Sequence, residues 1–439
     1  AAATGSPTMA SLSDLTNVGT LFGGEGLTLT SGNAVSNTGG QIGAGSGALI
    51  LPAAGVLDNT AGNIIAQDGS LTAGASRFVN GKGLLQASET VFLKGDGLDN
   101  TAGTVLATQG NIVIESQNGN VGPLQNTGGV IQAGGAVTAV FDSLINNNGH
   151  ILADGGKLSL TGTPSSDIAN TGGAIQAAGS LVLSGGSYTS DTDSLLTAGD
   201  IMTLSFGSTL SNSGQIAAAG TLNVGASAIV NAQGGLLTSS QGALTLTLAG
   251  NAGLSNNGTI ETLQAGQALS IVAQVMSNGV DGSILSRGSQ TLNIAGLLSN
   301  AGEITAYDSA LTIVASTLNN SDLILAGSGL SINVSGQLTN SGLLYGLTSN
   351  TLNAASLINE GGQVGTDTGT LGIVTSILDN SHNGRIISRA GGISLQASQI
   401  DNQNGHVEAG QGLTTLTASL NNNGGEVISD NADVVVSAS

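Results

Sequence analysis

One asparagine returns through the whole chain at an almost constant interval, and no other feature restricts the fold as strongly. It stands at Asn17, Asn37, Asn59, Asn80, Asn100, Asn126, Asn146, Asn170, Asn212, Asn231, Asn256, Asn278, Asn300, Asn320, Asn340, Asn359, Asn380, Asn402 and Asn422. Most steps are 19 to 22 residues, and the step of 42 from Asn170 to Asn212 is two periods with one asparagine lost. A period of this length marks an array of supersecondary units, each too small to bury a core alone.

The unit around the asparagine reads as β structure. Leu124–Ala139 is LQNTGGVIQAGGAVTA, and Ile168–Leu183 is IANTGGAIQAAGSLVL. Apolar positions alternate with small or polar ones, the period-2 mark of a strand with one buried face. Gly, Asn, Ser and Thr separate these short runs, as turn formers that accept positive φ. Three short strands and three turns make one coil of a parallel β-helix, each strand pairing with its equivalent one coil away. The expected fold is an all-β parallel solenoid of about 20 coils, about 21 residues per coil. A buried asparagine at the same place in each coil hydrogen-bonds the turns above and below it. Asn37, Asn59, Asn100, Asn126, Asn170, Asn212, Asn300, Asn340, Asn380 and Asn402 are therefore expected to form a structural ladder. A recurring alanine slot (Ala44, Ala66, Ala87) and paired aliphatics (Leu158 and Leu160, Leu311 and Ile313) supply the other columns of a narrow core. Such a core has little room for Trp, and none is present.

Residues 1–14 do not match the unit and read as a linker or a degenerate first coil; residues 15–439 read as a single β-helix. Four stretches break the period: 115–123, 161–167, 184–194 and 249–253. All leave the corner between the aliphatic strand and the asparagine strand, and a solenoid projects equivalent corners along one edge. The Val434–Val436 strand has no cap, so the chain is expected to be a segment of a longer protein or to be capped by a partner.

The charge balance excludes some partners. With 27 acidic and 7 basic residues the formal net charge is −20. Nucleic-acid affinity rests largely on Lys and Arg, so no nucleic-acid partner is expected. No apolar run is long enough to span a bilayer as a helix, and residues 1–10 lack the basic and apolar regions of a signal peptide. With no cysteine, cohesion must come from strand pairing and stacking.

Catalytic and metal patterns are sparse. His150, His382 and His406 fall in separate coils at or just past the asparagine turn, and read as exposed turn residues. No cofactor is expected. Calcium-built β-rolls need tandem glycine–aspartate repeats, of which only isolated echoes occur near Asp96 and Asp281. The one acidic cluster with an aromatic is Tyr188, Asp191 and Asp193 in the third irregular stretch, with Asp167 expected one coil below. These four are the candidate binding residues, on the insert edge. A polysaccharide-active β-helix would work with clustered carboxylates in a cleft, and this cluster contains no Arg or Lys.

The motif L-x-N-x-G-G-x-I-x-A-x-G, as in Leu124–Gly135, resembles the haemagglutinin repeats of filamentous-haemagglutinin-like exoproteins of bacterial two-partner secretion. The likeness runs from about Leu15 to Val436. It implies a right-handed β-helical filament, exported by an outer-membrane transporter and held at the surface of a Gram-negative bacterium. Its partner would be a host or bacterial surface receptor or glycan. The family's secretion-domain signature is missing from this sequence, and the place after the repeat asparagine holds Thr, Asn, Ser or Ala where Arg is frequent in the family. The expectation is a non-enzymatic adhesin segment. The alternatives are a passive stalk of a contact-dependent growth-inhibition protein and a polysaccharide-active enzyme.

Overall fold

In the computed structural model, which describes residues 2–3, 5–117 and 119–438, every element of regular structure is a β-strand. Asn118, within the first expected insert, and positions 1 and 4 of the expected linker lie outside the described residues. The chain is a parallel β-solenoid of about 20 turns, spaced about 21 residues apart. It divides into two compact units, Ala1–Gly220 and Thr221–Ser439.

In the first unit a coil has three separate strands. Asn63–Ala66, Leu71–Gly74 and Phe78–Val79 make one such coil, closed by the turn at Asn80. We call these the alanine, leucine and asparagine strands. Each pairs in parallel with its equivalents, residue for residue: Ala66 with Ala44 and Ala87, Leu71 with Leu49 and Val91, Phe78 with Leu57 and Leu98. The register is fixed because side chains alternate between faces; a slip of one residue would turn each coil's aliphatic set outward. Thr8–Ser11 already pairs with Leu27–Ser31, so part of the 1–14 segment is strand.

In most coils of the second unit the leucine and asparagine strands run together as one bent strand. Gln290–Asn300, Leu311–Asn320 and Leu330–Asn340 are of this kind. Their register shifts at the bend, between Ile294 and Leu297 and again between Ala315 and Leu318. Small residues stand there, such as Gly296 and Ser316, and the irregularity turns the strand without breaking the ladder on either side. The alanine slot also changes character in this unit. Ser239, Thr262, Ser286, Thr366 and Ser388 occupy it, all buried. Most of their hydroxyls close the following turn, as Ser239 Oγ does to the Gly242 carbonyl at 2.7 Å and Ser286 Oγ to that of Gly288 at 2.8 Å.

The ladder asparagines are buried in both units, except Asn422 in the last coil, which is exposed. Asn59 Nδ2 donates to Asn80 Oδ1 at 2.8 Å, to the Gly62 carbonyl at 3.0 Å and to the Leu84 carbonyl at 3.0 Å, while its own Oδ1 accepts from Asn37. One amide thus satisfies its own turn and its neighbour's. In the first unit the chain of side-chain bonds runs unbroken from Asn17 to Asn170. In the second it runs from Asn231 to Asn422.

The glycine three residues after the asparagine is imposed by this arrangement. A Cβ at Gly62 would lie 2.1 Å from the Asn37 carbonyl oxygen and 2.6 Å from Asn59 Oδ1. The residue before it is left-handed, which Ala61 adopts at φ 52° without being glycine.

Two substitutions test this account. Asn300→Ala strips Asn320 Oδ1 and the Leu323 carbonyl of a donor and removes one of the three acceptors of the Asn278 amide. The expected cost is about 1–3 kcal/mol in chemical denaturation. Ala61→Gly removes a left-handed strain and is expected to stabilise by up to about 1 kcal/mol in the same assay.

Candidate functional site

The sequence places its candidate binding residues around the third irregular stretch, and the structure rearranges them. Ser184–Ser194 was expected to project as an insert. Instead Ser187–Thr189 is an asparagine strand paired on both sides, Tyr188 with Ile168 below and Leu210 above. The period continues through it, with Ser190 where the ladder asparagine would stand.

Tyr188 is a core residue, 1% exposed, and not part of a surface edge. Its ring stacks on Phe206 at 5.8 Å between centroids. Gly185 leaves room for the Ile168 side chain below, which a Cβ would meet at 2.9 Å. The Tyr188 phenol oxygen accepts from Asn170 Nδ2 at 3.3 Å, and Ser190 Oγ donates to Asn212 Oδ1 at 2.9 Å. A tyrosine and a serine therefore divide between them the work of one asparagine. Burial pushes the Tyr188 phenol up to about 12, against the partial relief of its bonds to Asn170 and Ser190.

The three carboxylates have separate surroundings. Asp191 Oδ1 accepts from Ser194 Oγ and from the Gly172 amide at 2.7 Å, so it caps the turn; these bonds, Ser194 first, hold its carboxyl below the usual aspartate range. Asp193 is exposed. Asp167 is exposed and accepts from Ser187 Oγ at 2.6 Å, aligned with Ser187 rather than with Asp191. Among the described residues no group of three or more His, Cys, Asp or Glu could hold a metal ion.

The other irregular stretches sit where leucine and asparagine strands meet. In the first, Gln117 and Asn120 make an antiparallel bridge, and Gly119 and Asn120 are exposed. The second is a tight turn closed by buried Ser166, whose Oγ accepts from the Thr163 amide at 2.7 Å. In the second unit, the residues from Ala249 to Gly253 lie inside the bent strand Leu244–Asn256, and Asn251 and Ala252 are exposed.

Sequence reasoning missed three constellations in the second unit. The Arg287 guanidinium lies 5.7 Å from the Tyr307 ring centroid, and that of Arg389 lies 5.8 Å from the Tyr345 ring. Arg389 also pairs with Asp367 at 3.0 Å, and the Tyr345 hydroxyl donates to the same carboxylate. Burial and that carboxylate push the Tyr345 phenol up to about 12. His406 lies between Glu408 and Glu426, 2.8 Å from each, while His382 turns to Ser381 and Glu360, so the two histidines do not meet. The signal for the His406 group was present in the period. Glu426 is its register partner one coil on, and Glu408 is two residues along the same face.

Alkali tests the Tyr188 assignment. Below pH 10 the phenol is neutral folded and unfolded. As pH rises from 10 towards 12 the unfolded chain ionises first, so stability falls. Between its ordinary value near 10 and its folded value of about 12, this loss amounts to about 2 kcal/mol at pH 12. Tyr188→Phe is expected to remove this share of the alkaline loss in denaturation curves taken on either side of that window.

The haemagglutinin-repeat family model matches six overlapping or adjacent stretches, residues 1–51, 52–119, 118–163, 155–205, 196–256 and 239–302. The chain matches no curated protein and no solved structure. Among the described residues no helix is long and apolar enough to cross a membrane. Repeat membership and the solenoid fold suggest a structural protein rather than an enzyme. With repeats over more than half its length folded as stacked β-coils, the chain belongs to the haemagglutinin-repeat family and is filamentous-haemagglutinin-like.

Proposed function

We propose that this chain is a non-enzymatic adhesin segment, secreted and held at the surface of a Gram-negative bacterium. An outer-membrane partner of the two-partner-secretion type would export it. The observation that carries this reading is the haemagglutinin repeat itself, matched from residue 1 to 302 and folded as coils that differ mainly at their corners. A β-solenoid built this way gains length by adding coils, each held to its neighbours by the same bonds. Binding then falls to what departs from the repeat.

Three departures are accessible: the bridge around Gly119 and Asn120, the corner carrying Asp167, and the exposed Asn251 and Ala252. Asp193 joins them as an exposed carboxylate; Tyr188 and Asp191 are occupied by packing and capping. The contact class is a cell-surface receptor or glycan. A second reading, a passive stalk within a growth-inhibition protein, draws on the coils of the second unit from Leu269 onward, where among the described residues no corner between leucine and asparagine strands is enlarged.

The test is adhesion of the purified chain to host cells and to sister bacterial cells. It is run beside a variant whose residues 115–123 are replaced by a regular turn and a variant with Asp167→Asn and Asp193→Asn. Adhesion lowered at least about tenfold in either variant, with the thermal transition unchanged, supports binding by the corners. No adhesion by the intact chain overturns the adhesin reading in favour of the stalk.

A further inference from the structure

The outward face of the second unit's leucine strands is distinctive. From Leu222–Asn231 to Val434–Ala438 these strands stack in parallel, and the second and fourth residues of each point away from the core. No Asp, Glu, Lys or Arg occupies any of these positions among the described residues. Hydroxyls such as Thr291 and Thr312 form one column. The other mixes amides with Val272, Val314, Val374 and Leu416, which are 40%, 39%, 46% and 37% exposed. The other faces of the same unit are charged: Glu261, Arg385 and Glu408 project from alanine strands, and Asp379 and Asp401 precede ladder asparagines. The matching face of the first unit carries Lys94 and Glu115.

We propose that this face docks against the same face of a second copy of the chain. Three observations choose that occupant. First, a chain of net charge −20 repels its copies. Contact through an uncharged sheet face keeps the carboxylates of both copies at the rim, in water and screened over a Debye length of about 8 Å. Second, about ten coils at about 4.8 Å, crossed by five residues at about 3.3 Å, present roughly 800 Å² per copy, the size of a standard stable interface. Third, the face carries only uncharged side chains, hydroxyls in one column and amides with aliphatics in the other, which suits two sheets packed about 10 Å apart. It has no aromatic ring on which a sugar would stack. The inference does not depend on the adhesin reading.

The test is sedimentation equilibrium of the full chain over a range of salt. A dimer is expected that tightens as salt screens the residual repulsion. Val314→Asp with Val374→Asp should weaken it at least about tenfold, because like charges would meet across the contact. Ser277→Asp with Gln399→Asp, exposed on the asparagine-strand face, should leave it intact. Thermal melts confirm that each variant folds. A second measurement needs no loss of function. Any two-fold that overlaps the whole face brings its middle coil onto itself, so Ser331→Cys in this cysteine-free chain should give a disulfide-linked dimer on mild oxidation, and Ser277→Cys should not. A chain that stays monomeric at every salt concentration overturns the proposal. So does a dimer indifferent to the valine substitutions, or a monomer that binds insoluble cellulose through Val314 and Val374.

Discussion

The side-chain amide of the ladder asparagine is the interaction on which each coil depends. Each turn carbonyl accepts one backbone bond from the next coil, as that of Gly62 does from the Leu84 amide, and turns a second lone pair inward, where a missing donor is costly. Asn59 shows how the amide meets this. Its two protons are shared among the carbonyl of its own turn, the carbonyl of Leu84 in the next coil and Asn80 Oδ1, while its oxygen takes the bond offered from below. Donors and acceptors therefore run in one direction, and each bond polarises the next. The glycine three residues on follows from this. Its missing Cβ is the space through which the amide and the neighbouring carbonyl approach. The sequence pattern of asparagine, two turn residues and glycine is a direct image of one hydrogen-bond geometry.

The coil at Tyr188 shows what that geometry demands and what it leaves open. When serine replaces asparagine, the short hydroxyl reaches upward to Asn212 but does not replace the acceptor that Asn170 needs. Tyr188, two residues earlier on the same inward face, brings a phenol to that place. The ring is held by stacking on Phe206 in the next coil. A local loss is thus compensated by Tyr188 and Ser190 together, with Phe206 packed on the ring. Composition alone reads this coil as an insert, since SGGSYTSDTDS is rich in turn formers. The evidence against an insert lay in spacing: Tyr188 stands 20 residues after Ile168 and 22 before Leu210.

The same contrast explains what was legible elsewhere. The repeat made the strands, their parallel pairing and the buried columns readable, because one alternating pattern written about twenty times leaves little choice of register. The candidate site was much less readable. Asp191 and Asp193 are neighbours in sequence, yet one is consumed in a turn and the other faces solvent. Asp167 is displaced because alignment along the stack is set by residue register, and it falls opposite Ser187. Conversely, His406 and Glu426 are 20 residues apart and meet at 2.8 Å. In a solenoid, distance along the chain modulo the period decides contact, so a cluster in the sequence is a poor guide to a cluster in space.

Surface charge then follows a division of labour among the faces. Alanine strands and the turns carry nearly all of the second unit's ionised groups, where arginines find aromatic rings and carboxylates, as Arg389 does with Tyr345 and Asp367. Exposed pairs of this kind contribute little to stability, so their placement matters more for what approaches the surface than for holding it together. Leucine-strand positions in the same coils could accept the same residues at no structural cost, since they point to solvent. That they carry hydroxyls, amides and valines instead means the backbone does not dictate the difference, and a parallel sheet left uncharged on one side is a surface that invites pairing.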